Sequence, residues 1–130
     1  MPLSTEDTLA IQQLYARYNH AIDLGDATGW AACFTAGGTF TSASGTFTGH
    51  EQLAAFADAF AKRIKARHWT NNLVIEAAGD GATGKCYLML LRLGDADTTT
   101  SILTTAIYED ALVRDDGGWK FTSRNVRGDA

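Results

Sequence analysis

The chain is poor in several features, and each shortage closes off a class of function. Its two cysteines, Cys33 and Cys86, fit no metal-ligand spacing and sit among apolar neighbours, which predicts buried reduced thiols rather than a disulfide. With only three histidines, and none at a ligand spacing to another ligating residue, a metal centre is not expected, nor is any cofactor. No run approaches the roughly 18 apolar residues that a membrane helix needs. The opening MPLSTEDTLA has neither a basic leader nor an apolar core, so a cytoplasmic protein is the expectation. Positive charge is scarce as well. Eleven Lys and Arg stand against fifteen Asp and Glu, for a net charge of −4. The densest basic cluster, Lys62, Arg63, Lys65 and Arg67, shares a helical pattern with apolar residues, so no nucleic-acid partner is expected. There is no glycine-rich phosphate loop, no G-x-S-x-G elbow, no linker and no internal repeat.

What is present is an ordinary globular composition, 45% apolar and 20% charged, over a length of 130 residues that suits one domain, residues 1–130. Ser4-Thr5-Glu6-Asp7 has the form of a capping box. Ile11, Leu14, Tyr15, Tyr18 and Ile22 follow the spacing of one helical face, and Gly25 ends that helix. Asp26 caps a short second helix through Phe34. Residues 37–49, GGTFTSASGTFTG, read as two short strands about a turn. Residues 50–67 form the clearest helix, with Leu53, Phe56, Phe60 and Ile64 on its apolar face.

From His68 onward the period changes to two. Strands are expected at 69–77, 82–93, 98–113 and 119–126, separated by Ala-Gly-Asp-Gly, Gly-Asp-Ala-Asp and Asp-Asp-Gly-Gly turns. Helices first and a strand meander after make a segregated α+β fold. A long sheet of this kind curls over its helices and encloses a pocket.

Few polar residues stand among apolar ones: Asp23, His68, Asn71, Asn72, Glu76, Arg92, Arg124 and four tyrosines. His68 has two readings. One is a solvated histidine at a helix C-terminus, where the dipole favours it. The other is a general base, because imidazole titrates near neutrality, with Asp23 as the carboxylate that orients it. Asp23 in turn is either that partner or a turn former. It lies about 140° around a regular helix from Tyr18, so ideal geometry does not aim it at the same pocket. Periodicity leaves both pairs of readings open.

The ordered runs IQQLYARYNHAID, GDATGWAACFTAGGTF, GTFTGHEQLAAF, RHWTNNLVIE and YEDALVRDDGGWKFTSRNV resemble the SnoaL-like branch of the nuclear-transport-factor-2-like superfamily over nearly the whole chain. The pattern is most similar to its lyases: scytalone dehydratase, bile-acid 7α-dehydratase and hexachlorocyclohexane dehydrochlorinase. The resemblance implies a cone-like α+β barrel, a curved and mainly antiparallel sheet wrapped over three N-terminal helices with an interior pocket. It further implies a catalytic dyad of His68 and Asp23, with Tyr18, Arg124, Asn72 and Tyr108 as substrate contacts. The activity implied is a cofactor-independent lyase, a dehydratase or related β-elimination, on a small hydrophobic or cyclic molecule. An isomerase or polyketide-cyclase-type enzyme in the same pocket is the alternative, as is a non-catalytic domain that binds a small molecule or dimerises. A homo-oligomer, dimer or trimer, is expected across the open sheet face.

The departures are informative. The second histidine of scytalone dehydratase has no counterpart among residues 88–92. The first hairpin lacks the acid of ketosteroid isomerase, and LRLGD does not supply the Arg-x-Asp of limonene epoxide hydrolase.

Overall fold

A computed structural model describes residues 2–130 and shows the helices preceding most of the sheet. Helix α1, Thr5–Asp23, opens on the expected capping box: Ser4 Oγ accepts from the Asp7 amide at 3.0 Å, and the Ser4 amide donates to Asp7 Oδ2 at 3.1 Å. The Asp7 carboxylate also accepts from Trp119 Nε1 at 3.1 Å, so the cap ties the helix to the last hairpin. Gly25 takes φ +79° after the helix, the left-handed conformation glycine adopts without a steric cost. The short α2, Ala27–Ala31, is capped by Asp26, whose Oδ1 accepts from the Gly29 amide at 2.9 Å.

Strands β1, Phe34–Ser42, and β2, Gly45–Thr48, form the early hairpin, followed by α3, Gly49–Arg63. Then come β3, Ala66–Ala78; β4, Gly81–Arg92; β5, Ser101–Asp115; and β6, Gly118–Gly128. The six strands lie in the order β2-β1-β6-β5-β4-β3. Only β1–β6 is parallel; the rest of the sheet is antiparallel. The fold is α+β with a curved sheet that does not close, leaving β2 and β3 as edges.

Two of the shifts in the expected boundaries are at helix ends. The third helix stops at Arg63, not at residue 67, because Ile64 turns to extended backbone (φ −150°, ψ 139°). Ala66 and Arg67 then pair with Arg92 and Leu91 of β4, so ladder hydrogen bonds override the helical propensity of the alanine-rich run. His68 is therefore a strand residue, and the helix-terminal reading of it is corrected. At the other shift, Phe34 belongs to β1 rather than to the second helix.

The core fills the space between α1 and the concave sheet face. Ile11, Leu14, Tyr15, Tyr18 and Ile22 meet Cys86, Leu88, Tyr108, Leu112 and Phe121, all buried. Alternation along β4 is regular, with Ala82, Gly84, Cys86, Leu88 and Leu90 inside and Thr83, Lys85 and Tyr87 outside. Gly84 is required in this row: a Cβ there would overlap the Tyr15 hydroxyl. Both cysteines are buried and free. The outer sheet face carries exposed Trp69, Tyr87 and Ile102. No helix among the described residues is long and apolar enough to cross a membrane.

Candidate active site

His68 is the third residue of β3, directly beside the end of α1. Its ring Nδ1 lies 2.5 Å from Asp23 Oδ1, and its backbone amide donates to Asp23 Oδ2 at 3.0 Å and to Oδ1 at 3.2 Å. The two side chains are 8% and 6% exposed. A carboxylate held from two directions fixes the ring plane, and an acceptor at Nδ1 favours the tautomer that carries its proton there. Nε2 is then left with a lone pair, and no hydrogen bond among the described residues occupies it. Asp23 reaches this position by facing β3 rather than the core. Asn19, one turn earlier on the same stripe, donates from Nδ2 to Thr70 Oγ1 at 3.0 Å. Two polar pairs, Asp23–His68 and Asn19–Thr70, thus stitch α1 to β3.

The imidazole borders a cavity of about 510 Å³ between α3, α1 and the concave sheet. Buried Tyr18, Ile22, Trp30, Phe40, Leu88 and Tyr108 form its inner end. Exposed Ala43, Ser44, Arg63 and Thr104 mark its mouth. Phe60 stands beside the imidazole, ring centroids 5.6 Å apart. On the far side of the dyad is a second, more open groove of about 780 Å³, lined by Gln12, Asn19, Asp23 and Thr70 among others. His68 touches both spaces, whereas Asp23 faces only the groove.

Beneath the cavity lies a wholly buried polar cluster. Arg124 Nε and Nη2 donate to the two Asp110 oxygens at 2.8 and 2.7 Å, with both side chains at 0% exposure. The Tyr15 hydroxyl donates to the same carboxylate. The Arg124 guanidinium packs against aromatic faces, 3.9 Å from the Tyr108 centroid, 4.2 Å from Phe121 and 4.4 Å from Tyr18. Burial opposes its charge, but Asp110 outweighs this and holds its pKa well above the usual arginine value. Burial also pushes the Tyr18 phenol up, with Arg124 pulling it partly back. Tyr108 is raised further, by burial and then by neighbouring Tyr18. Both phenols are therefore hydrogen-bond donors, not phenolates.

The six expected site residues separate accordingly. Asp23 and His68 are joined. Tyr18 and Tyr108 line the cavity that His68 borders. Arg124 does not line it: Asp110 engages its Nε and Nη2 behind the two tyrosines, while its buried Nη1 has no hydrogen-bond partner among the described residues. Asn72 does not line it either. It sits exposed at φ +56°, in the bulge between Asn71 and Val74 that shifts the β3–β4 register. The extra residue breaks strict alternation, so Asn72 does not share the face of His68 and Thr70.

Three further residues were missed. Asp110 shares the inward phase of Tyr108 and Leu112, and an acid in a buried phase signals a buried partner. Asn19 and Thr70 carry the equivalent signal, one helical turn from Asp23 and two strand residues from His68. Among the described residues no group of three or more His, Cys, Asp or Glu stands close enough to hold a metal ion.

Comparison with known proteins agrees with this architecture. The sequence profile of the SnoaL-like domain matches residues 4–125. The chain belongs to the SnoaL-like family. Rv3472 of Mycobacterium tuberculosis, a protein of unknown function solved as an Asp-to-Asn variant, is 37% identical over 94% of this chain and 71% of its own, with a TM-score of 0.87. Aln2 from a Streptomyces species is 32% identical over 99% of this chain and 95% of its own, with a TM-score of 0.88. A Catenulispora acidiphila protein solved in complex with S-DNPA is 26% identical over 97% of this chain and 96% of its own, with a TM-score of 0.85. No curated protein matches the chain.

Proposed function

We propose that this SnoaL-like domain is a cofactor-independent lyase, a dehydratase or related eliminase, acting on a small hydrophobic or cyclic molecule held in the 510 Å³ cavity. The observation that carries the reading is the Asp23–His68 pair, with Nδ1 bound and Nε2 without a hydrogen bond, on a residue that borders the cavity. Nε2 takes a proton from a carbon next to a carbonyl. The electron pair moves onto the carbonyl oxygen, where Tyr18, which itself accepts from Tyr108, donates a hydrogen bond to the developing enolate. That enolate expels a leaving group from the β carbon, and Asp23 offsets the imidazolium charge meanwhile. Isomerisation and aldol-type ring closure share the first step and differ only in where the enolate reacts. The volume suits a molecule of drug-like size. That a Catenulispora relative has been solved with a small molecule supports the use of this fold as a pocket.

The exposed Trp69, Tyr87 and Ile102 on the outer sheet face support assembly of two or three copies there, which sedimentation measures directly. Two buried free thiols suit a reducing compartment, consistent with a cytoplasmic setting.

The test of the catalytic reading is solvent-deuterium incorporation into cyclic ketones bound in the cavity. Wild-type protein exchanges their α-protons, and His68→Ala abolishes the exchange while the variant stays folded and still binds the ligand. A His68→Ala variant that exchanges as fast as wild type would remove the enzyme reading and leave a binding domain.

A further inference from the structure

The charges on the cavity wall are few enough to be counted. Arg63 is the only permanently charged side chain in the lining, and no Asp or Glu is among the residues there. Arg63 ends α3 at the mouth. Its neighbour Lys62 is paired with Asp58 at 2.8 Å, but no ion pair among the described residues engages Arg63. The guanidinium lies over the Phe60 ring, 5.7 Å from its centroid, and Phe60 is in turn the ring beside His68. Arg63, Phe60 and His68 therefore succeed one another along one wall, from the mouth inward.

We propose that Arg63 is an anion subsite, and that the ligand is an apolar ring system bearing a carboxylate. The carboxylate would sit outward on Arg63, with the ring inward against Phe60 and His68. This rests on the reading of the cavity as the acid–base site and adds the class of molecule it accepts. A planar guanidinium matches a carboxylate with two parallel hydrogen bonds, which an ammonium cannot do. Stacking on Phe60 limits the orientations the guanidinium must lose on binding. The net charge of −4 works in the opposite direction, so any preference for anions must be local.

The probes are 2-naphthoate and its neutral analogue 2-naphthamide, titrated calorimetrically into the full chain at low and high salt. Wild type binds the acid about tenfold tighter than the amide, and salt narrows the gap because Arg63 is exposed. Arg63→Gln brings the two affinities together without weakening the amide, Arg63→Glu reverses the order, and Lys62→Gln changes neither. Equal affinities in wild type, or no binding of the acid, overturn the proposal. So does a preference that survives Arg63→Gln but disappears in His68→Ala, since that would place the carboxylate on the imidazole. An acid preference lost in Arg63→Gln, together with undiminished proton exchange in His68→Ala, would uphold the subsite while removing the acid–base reading.

Discussion

Two polar pairs in this domain are built alike and placed differently. Arg124–Asp110 joins β6 to β5 at 0% exposure, and both carboxylate oxygens are engaged by the guanidinium. Asp23–His68 joins α1 to β3 at the edge of a cavity, and one ring nitrogen is left unengaged. A buried ion pair whose carboxylate is fully engaged holds structure and sets the electrostatics around it. A pair with a free lone pair on a residue that borders a cavity has something left to offer a ligand. Breaking the first should therefore cost stability, and breaking the second should cost chemistry.

The largest effect expected is on the buried pair. Asp110→Ala leaves Arg124 charged and unpaired in the core and should lower unfolding stability by about 3–5 kcal/mol, read by denaturant titration. Next comes His68→Ala, which should reduce proton exchange or turnover by roughly two to four orders of magnitude. Its loss of stability should be smaller, about 1–3 kcal/mol, because the Asp23 carboxylate keeps the His68 backbone amide as a partner. If the two variants exchanged these phenotypes, the comparison would be inverted. Tyr18→Phe lies between them: the ring keeps its packing while the cavity loses a donor, so kcat should fall on the order of a hundredfold.

The phenols supply a pH test of the buried side. Tyr15 and Tyr18 are raised by burial first, as is Tyr108, while in the unfolded chain they ionise near the ordinary value of about 10. A raised folded pKa contributes stability that is complete below the unfolded pKa and is lost as pH rises past it. Stability should accordingly fall steeply above about pH 10. Absorbance at alkaline pH should show these three phenols ionising only together with unfolding. The smallest effect sharpens the seam. Thr70→Val removes one hydrogen bond to Asn19 and should cost about 1 kcal/mol, with a severalfold loss of exchange if that bond holds α1 against β3.

Most of the fold was legible because its signals were local. The Ser4 and Asp26 caps, the inward stripe of α1 and the turn sequences between strands each act through a few neighbouring residues. The end of α3 was not legible, since Ala66 and Arg67 are claimed by a strand partner about 25 positions away, and helical propensity carries no knowledge of it. Within the site, the outward placing of Arg67 and Trp69 around His68 follows from alternation alone, and Trp69 is indeed 59% exposed. The same rule fails at Asn72, where a bulge inserts an extra residue. Arg124 was recognisable as special but not as paired, because Asp110 is brought opposite it only by the β5–β6 register.

The central claim is that Asp23 fixes the His68 tautomer and leaves Nε2 as the unprotonated nitrogen. Nitrogen-15 NMR of the imidazole, recorded where the ring is neutral, tests it without any substrate. The account predicts a protonated Nδ1 and an unprotonated Nε2, with that bias lost in Asp23→Ala. A ring carrying its proton on Nε2 in the wild-type protein would contradict it.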